Sequence, residues 1–175
     1  MSKITPSFYE TIECVKLLKK KIKNDPYIGT VFENARFLTS RAKGAFFEKL
    51  TKEYFKKVYG VSISKPKSSE HDGIFNNTKV EIKGSTLWLN AKGEKIGFRW
   101  QQIRDQDYSI MIFLAMYPDC VKFYYATKKD LINNLDPYKN NQHGGKNINS
   151  GTMFIDGYPE DFYWMKEVKD VSFIK

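Results

Sequence analysis

Two stretches in the first third of the chain have hydrophobic residues at helical spacing. Residues 7–23 carry apolar side chains every three or four positions. Ser7 and Glu10 at the start of this range fit a capping box. A second helix is predicted after Thr39-Ser40, with its end at about Val58 and Gly60 as its stop. Its predicted apolar stripe comprises Phe47, Leu50, Tyr54 and Val58. We therefore expect N-terminal helices within residues 7–59.

The hydrophobic period then changes from helical spacing to alternation. Residues 71–75 and 79–83 alternate on either side of a turn at Asn76-Asn77-Thr78, which predicts a β-hairpin. Residues 108–116 are an apolar run typical of a strand buried on both faces, and residues 121–126 predict its neighbour. This part of the chain is expected to form a sheet.

The last part combines one short helix with a long polar segment. Thr127 with Asp130 three residues later predicts a capped helix. Residues 133–175 hold a polar, turn-rich segment, which we interpret as a recognition loop, and the C-terminal strands. Helices and strands are interspersed, which predicts one α/β or α+β domain over residues 1–175 with a central mixed sheet.

Composition narrows the classes of function. The chain has 175 residues, of which 41% are hydrophobic, so a disordered-tail protein is excluded. Lys and Arg number 29 against 20 acidic residues, and the net charge of +9 favours nucleic acid as a partner. The cysteines and histidines show no zinc-site spacing, and no apolar run is long enough for a membrane span. We expect a cytoplasmic protein with no membrane partner.

The candidate chemistry lies in the predicted hairpin, where Asp72, Glu81 and Lys83 form the pattern D-x8-E-x-K. Residues two apart in a strand share a face, so Glu81 and Lys83 project together. Val80 and Ile82 then enter the opposite, apolar side. A closed hairpin places Asp72 across from the Glu81 region. The pattern thus predicts two neighbouring carboxylates beside one ammonium group.

Two carboxylates at close range need a cation. Hard oxygen ligands with an open side suit Mg²⁺, which keeps several waters and binds phosphate oxygens of a substrate. Lys83 would lower the pKa of the attacking water, orient it, or neutralise charge on the reacting phosphate. The backbone carbonyl of Ile82 is a further candidate metal ligand. The implied reaction is hydrolysis of a phosphodiester bond.

In Asp72, Glu81 and Lys83 the chain resembles the PD-(D/E)xK nuclease superfamily, which includes type II restriction endonucleases, Holliday-junction resolvases and repair nucleases. The resemblance covers element order over about residues 41–131. It implies a restriction-endonuclease-like α/β fold, in which a central mixed β-sheet is flanked by helices. It further implies Mg²⁺ as cofactor, with Mn²⁺ as a substitute, and places Glu48 in or beside the metal shell.

A plainer interpretation fits the same residues. Asp72, Glu81 and Lys83 would then be an edge hairpin with cross-strand ion pairs, each of which stabilises a protein little. Glu48 would be a surface carboxylate paired with Lys52 four residues later. A second E-x-K at residues 167–169 is interpreted as an ordinary solvated face.

Other polar residues are candidates for DNA contact. By the same resemblance, residues 100–106 look like a helix that borders the active site. Gln101 or Gln102 would hydrogen-bond the scissile phosphate or a metal-bound water. Arg99 and Arg104 would bind backbone phosphates. The polar stretch from residue 142 to 147 suits base edges. The predicted DNA-binding residues are Ser85, Arg99, Gln101, Gln102, Arg104, Gln142, His143, Lys146 and Asn147.

The sequence therefore predicts a Mg²⁺-dependent endonuclease that acts on double-stranded DNA, either a type II restriction enzyme or its cleavage subunit. One such site cuts one strand, so double-strand cleavage requires a homodimer or a heteromeric partner subunit. One alternative is a structure-selective junction resolvase or repair nuclease. Another is a non-catalytic, basic DNA-binding module. An RNA substrate is less favoured, because the sequence shows no RRM-type aromatic signature.

Overall fold

The structure is a computed structural model, and it describes residues 25–66, 68–90, 92–142 and 151–174. Two sets of predictions lie outside these ranges. One is the helix within residues 7–23, and the other is the loop candidates His143, Lys146 and Asn147.

A seven-stranded mixed sheet forms the centre of the described chain. Its strands are β1 (Gly73–Phe75), β2 (Thr78–Leu89), β3 (Lys95–Ile103), β4 (Ile110–Met116), β5 (Val121–Thr127), β6 (Met153–Gly157) and β7 (Lys166–Glu167). The order across the sheet is β6-β3-β2-β4-β5-β7, and β1 also pairs with β2. β2 and β4 run parallel, whereas the other pairs are antiparallel. The predicted mixed α/β architecture is confirmed.

Of the helices in the described ranges, one ends at the predicted Gly60 stop and another begins at the predicted cap of Thr127 and Asp130. The helices are α1 (Glu33–Arg36), α2 (Ser40–Tyr59) and α3 (Lys128–Asn134), and a short 3₁₀ helix at Pro159–Asp161 lies between β6 and β7. The Thr39 hydroxyl caps α2, and Gly60 ends it with a φ of 69°. Thr127 and Asp130 form the predicted capping box of α3. No helix within the described ranges has both the length and the apolar character that crossing a membrane requires.

The buried face of α2 differs from the predicted stripe. Its fully buried residues are Phe47, Thr51 and Phe55, and the ring of Phe55 meets that of Phe123 edge-on at 5.5 Å. Val58 is 54% exposed, so its place in the stripe was wrongly predicted. These three buried residues are spaced four apart, so they share one face of the helix. Val58 does not belong to this row of residues.

The predicted central strand is confirmed as β4, in which all seven residues are buried. β5 is its antiparallel neighbour, as predicted. The parallel pairing of β4 with β2 covers its other edge. A strand with neighbours on both edges and packed faces needs an unbroken apolar sequence, which residues 110–116 provide.

The helix expected over residues 100–106 is not formed, because this segment belongs to β3 and the turn after it. Phe98 and Trp100 are fully buried, while Gln101 is exposed. A register shift against β6 lies between Trp100 and Ile103, and Gln102 there has a φ of 58°. This bulge buries Trp100 and Ile103 together although they are three residues apart, which in sequence looks helical.

β2 lacks a strand neighbour along part of one edge. β1 pairs with Thr78–Val80, and β3 pairs with Leu87–Leu89. β4 lies on the opposite edge, from Val80 to Thr86. Among the described residues, the stretch 81–86 therefore has a strand on its β4 side alone. The resulting gap opens the sheet where Glu81 and Lys83 lie.

Candidate functional site

Asp72 is positioned by the hairpin of β1 and β2. Asn76 and Asn77 both have positive φ, 45° and 63°, as the tight turn between these strands requires. The predicted hairpin is thus confirmed, with a two-residue turn. Its register lets the Asp72 N–H donate to the Val80 carbonyl at 3.0 Å. The Asp72 carboxylate in turn accepts from the Ile82 N–H at 2.8 Å, which holds it at the gap.

Glu81 and Lys83 lie side by side, as the alternation in β2 predicts. The Lys83 ammonium donates to the Glu81 carboxylate at 2.6 Å. Glu81 is only 6% exposed. Burial raises the pKa of Glu81 to about 7, Lys83 opposes the rise, and the neighbouring Asp72 carboxyl adds to it by charge and hydrogen bonding. The two carboxyls and the ammonium therefore form one contacting cluster.

A cavity of about 320 Å³ opens at the gap in β2. Its walls come from α1, the first half of α2, and the facing parts of β2 and β3. Glu81 contacts Asp72 and Lys83 but is not itself part of the wall. The predicted site residues in the wall are Glu48, Asp72, Ile82, Lys83, Ser85, Arg99, Gln101 and Gln102. Most of the predicted site is thus brought to one cavity.

Glu48 lies in the cavity wall but outside the carboxylate pair. Its carboxylate accepts from the Lys52 ammonium at 2.5 Å, as the plainer interpretation predicts. The same ammonium also donates to the Asp72 carbonyl at 2.6 Å, so Lys52 ties α2 to the residue that precedes β1. Within the described ranges, no three His, Cys, Asp or Glu residues are grouped as a metal site. A metal role for Glu48 stays a prediction.

The donor set at the gap fits a small divalent cation. Asp72 and Glu81 bring two carboxylates together, whereas Lys83 supplies a single positive charge. Mg²⁺ accepts one or two protein carboxylates and fills its other positions with water or phosphate oxygens. Asp72 and Glu81 would hold it. The Ile82 N–H orients Asp72, and a metal role for the Ile82 carbonyl stays a prediction.

Arg99 and Ser85 are engaged within the protein. The Arg99 guanidinium pairs with Asp156 on β6. The Ser85 hydroxyl accepts from the Arg99 N–H at 2.9 Å and donates to the Thr86 carbonyl. This hydroxyl takes the place of a β2–β3 ladder bond at the edge of the gap. Both residues line the cavity, but their polar groups position β3 and already have partners.

The glutamines of the β3 bulge are the more available polar groups. Gln101 and Gln102 are exposed at the cavity. The left-handed backbone of Gln102 is held by its N–H, which donates to the Gln142 side chain at 2.9 Å. Strained backbone of this kind persists where neighbours fix it, and it is frequent at functional sites. Gln142 thus positions Gln102, whereas Arg104 is exposed outside the cavity wall.

Sequence reasoning missed the basic residues that α1 and α2 bring to the cavity. Lys43 and Arg36 both line it. The Lys43 ammonium donates to the Arg36 carbonyl at 3.0 Å, and Arg36 pairs with Asp25. Burial lowers the pKa of Lys43, and the charge of Arg36 lowers it further. No local motif marks these residues, because they reach the cavity only through the way α1 and α2 pack beside β2.

Comparison of the sequence with protein-family models and with curated proteins gave no match.

Replacing Glu81 by glutamine is expected to stabilise the metal-free protein at high pH. From about pH 4.5 to pH 7 the folded state keeps a proton at Glu81 that the unfolded chain releases. The free energy of unfolding therefore falls as the pH rises through this window, and the loss is complete above it. Glu81→Gln should raise that free energy by about 1 to 3 kcal/mol at pH 8, and by much less at pH 5.

Thermal unfolding of both proteins at pH 5 and pH 8 in EDTA measures this difference. Added Mg²⁺ should raise the melting temperature of the wild type more than that of Glu81→Gln, because binding to the folded state stabilises it. If the melting temperatures of the two proteins differ by the same amount at pH 5 and at pH 8, the Glu81 carboxyl does not titrate as described.

Proposed function

We propose that the chain is a Mg²⁺-dependent DNA endonuclease of the restriction-endonuclease-like fold. One observation carries the proposal: the Asp72, Glu81 and Lys83 side chains meet at the unpaired edge of β2, beside an open cavity. Arg36 and Lys43 contribute positive charge to the same walls, and the chain has a net charge of +9. A phosphate of a polyanion is the chemical group that suits this arrangement.

The burial of Glu81 favours this proposal over a purely structural hairpin. A carboxyl that is 6% exposed and lies beside a second carboxyl weakens the fold when it ionises. Structural ion pairs on an edge hairpin are usually exposed and stabilise the protein slightly. Perturbed carboxyls in a cleft are instead typical of functional sites. The presence of two carboxyls that lower the stability of the fold is explained by their binding a cation and a substrate.

The roles of the residues follow from their contacts. Mg²⁺, when bound by Asp72 and Glu81, would supply a Lewis acid at the scissile phosphate. Lys83 is fixed at the cavity wall by its hydrogen bond to Glu81, so its ammonium would orient the attacking water and neutralise charge on the reacting phosphate. The Ile82 N–H keeps the Asp72 carboxylate turned towards the gap. Gln101 and Gln102 would contact the DNA beside it.

The substrate proposed is double-stranded DNA, and the enzyme a type II restriction endonuclease or its cleavage subunit. A single cluster of this kind cuts one strand at a time. Cleavage of both strands would then use a homodimer or a heteromeric partner. A resolvase or repair nuclease shares the same chemistry but selects branched or damaged DNA.

A panel of substrates tests the proposal. The purified protein is incubated in Mg²⁺ or in EDTA with phage DNA, a four-way DNA junction, and RNA of matched sequence. We expect phage DNA to be cut into discrete fragments in Mg²⁺ and to stay intact in EDTA. Preferred cutting of the junction would identify a resolvase instead. If the protein binds DNA without cutting it, and Glu81→Ala leaves the binding affinity unchanged, the chain is a non-catalytic DNA-binding module and not an enzyme.

A further inference from the structure

One aromatic side chain stands exposed at the candidate site. Trp88, near the end of β2, is 38% exposed and lines the cavity. The other two tryptophans, Trp100 and Trp164, are buried at 0% and 7%. The pairing of Trp88 with Gly97 holds its backbone in the β2–β3 ladder. The chain therefore presents a large flat ring in the wall that also contains Lys83.

The indole of Trp88 packs against the guanidinium of Arg99 on one face. The Arg99 guanidinium lies 4.8 Å from the centre of the Trp88 ring and 5.4 Å from that of Phe154. Asp156, directly across from Arg99 on β6, neutralises the guanidinium. Trp88, Arg99 and Phe154 thus form a column that spans three strands. One face of the indole is covered by Arg99, so a ligand that stacks on the ring must use the opposite face.

We infer that Trp88 is a stacking platform for a single nucleobase that has left the double helix near the scissile phosphate. This inference rests on the proposed nuclease function and specifies the state of its DNA. An aromatic face beside cationic groups is the combination that single-stranded nucleic acids bind, through base stacking and phosphate contacts. Lys43 and Lys83 lie in the same cavity wall as Trp88.

Base stacking in duplex DNA determines whether a base can contact the Trp88 ring. Inside a double helix both faces of each base are covered by its neighbours, so a protein ring meets a base face only after that base is unstacked. The DNA is therefore either single-stranded or locally unstacked at the cavity. Gln101 and Gln102 line the same cavity, and their amides suit the edge of such a base.

Binding in EDTA, where no cleavage is expected, tests the platform. The probe is a fluorescein-labelled single-stranded oligodeoxythymidylate, titrated with wild type, Trp88→Ala, Trp88→Phe and Tyr163→Ala. Tyr163 is the matched control, because its ring is 85% exposed and lies outside the cavity wall. Trp88→Ala should weaken binding about 5- to 100-fold, whereas Trp88→Phe and Tyr163→Ala should stay within about 3-fold of wild type.

A second measurement on the unmutated chain guards against a folding defect in Trp88→Ala. In protein that carries 5-fluorotryptophan, the Trp88 fluorine resonance is identified by its loss in Trp88→Phe. It should shift on addition of the oligonucleotide, while the resonances of the two buried tryptophans stay in place. A Trp88 resonance that does not move at saturation would overturn the platform.

The two proposals fail in different ways. If the wild type cuts DNA, and Trp88→Ala binds and cuts equally well, the platform is overturned and the nuclease stands. If the oligonucleotide binds through Trp88 but no DNA is cut in Mg²⁺, the platform stands and the nuclease is overturned. A wild type that binds no DNA overturns both.

Discussion

Replacing Lys83 by alanine is expected to lower the rate of DNA cleavage by about 10²- to 10⁴-fold. The Lys83 ammonium is the positive charge that contacts Glu81 in the cluster, and it lies in the cavity wall. Its removal takes away the group proposed to orient the attacking water. The fold should persist, because Glu81, with a pKa already near 7, can stay protonated without its partner.

Lys79→Ala is the matched control for Lys83→Ala. Lys79 is also on β2, where its ammonium pairs with exposed Asp107 away from the cavity wall. Cleavage by Lys79→Ala should stay within about 2-fold of wild type, since exposed ion pairs contribute little. The measurement is single-turnover cleavage in Mg²⁺, with DNA binding measured separately in EDTA. Equal rates for wild type and Lys83→Ala would remove Lys83 from the mechanism.

Replacing Gly84 by alanine is expected to lower the free energy of unfolding by about 3 kcal/mol and to disrupt the cavity. A Cβ at Gly84 would lie 2.2 Å from ring atoms of Phe47 and 2.5 Å from its Cβ. Phe47 is only 3% exposed, and its ring borders the cavity. Relief therefore requires the Phe47 ring to turn into the cavity or α2 to move away from β2, and either change alters the cavity.

Gly44→Ala makes the same chemical change on the facing helix. A Cβ at Gly44 would meet no atom within 4 Å, although Gly44 also lines the cavity. Alanine inside a helix is favoured over glycine, so this variant should be about 0.5 to 1 kcal/mol more stable than wild type. Urea unfolding of both variants gives the two values. A Gly84→Ala/Phe47→Leu double variant should recover part of the loss.

Equal stability of Gly84→Ala and Gly44→Ala would contradict the described packing of α2 on β2. A loss that Phe47→Leu does not reduce would also contradict it, because the strain would then lie elsewhere.

The parts of the fold with strong local signals could be predicted from the sequence. Thr39 and Gly60 bound α2, because a side-chain cap and a left-handed stop depend on residues next to the helix end. The Asn76-Asn77 turn sets the register of its own hairpin. That register brings Asp72 to Glu81, and strand alternation brings Glu81 to Lys83. The core of the candidate site was predictable because its three residues share one hairpin.

The parts that depend on distant packing could not be predicted. Trp100 and Ile103 are three apart, which indicates a helix, but the bulge at Gln102 buries both from a strand that pairs with β6. The support of Trp88 by Arg99 and Phe154 joins three strands. Lys43 reaches the cavity only because α2 crosses β2. These contacts follow from sheet order and helix placement, which no local pattern contains.

The most direct test of the central claim is the initial rate at which the purified protein nicks supercoiled plasmid DNA as Mg²⁺ is raised from zero. We expect a rate that increases with Mg²⁺ to a plateau, disappears in EDTA, and is lost at every Mg²⁺ concentration in Asp72→Asn. A plasmid that stays intact throughout the titration, or a nicking rate that EDTA leaves unchanged, would contradict a Mg²⁺-dependent nuclease site at Asp72, Glu81 and Lys83.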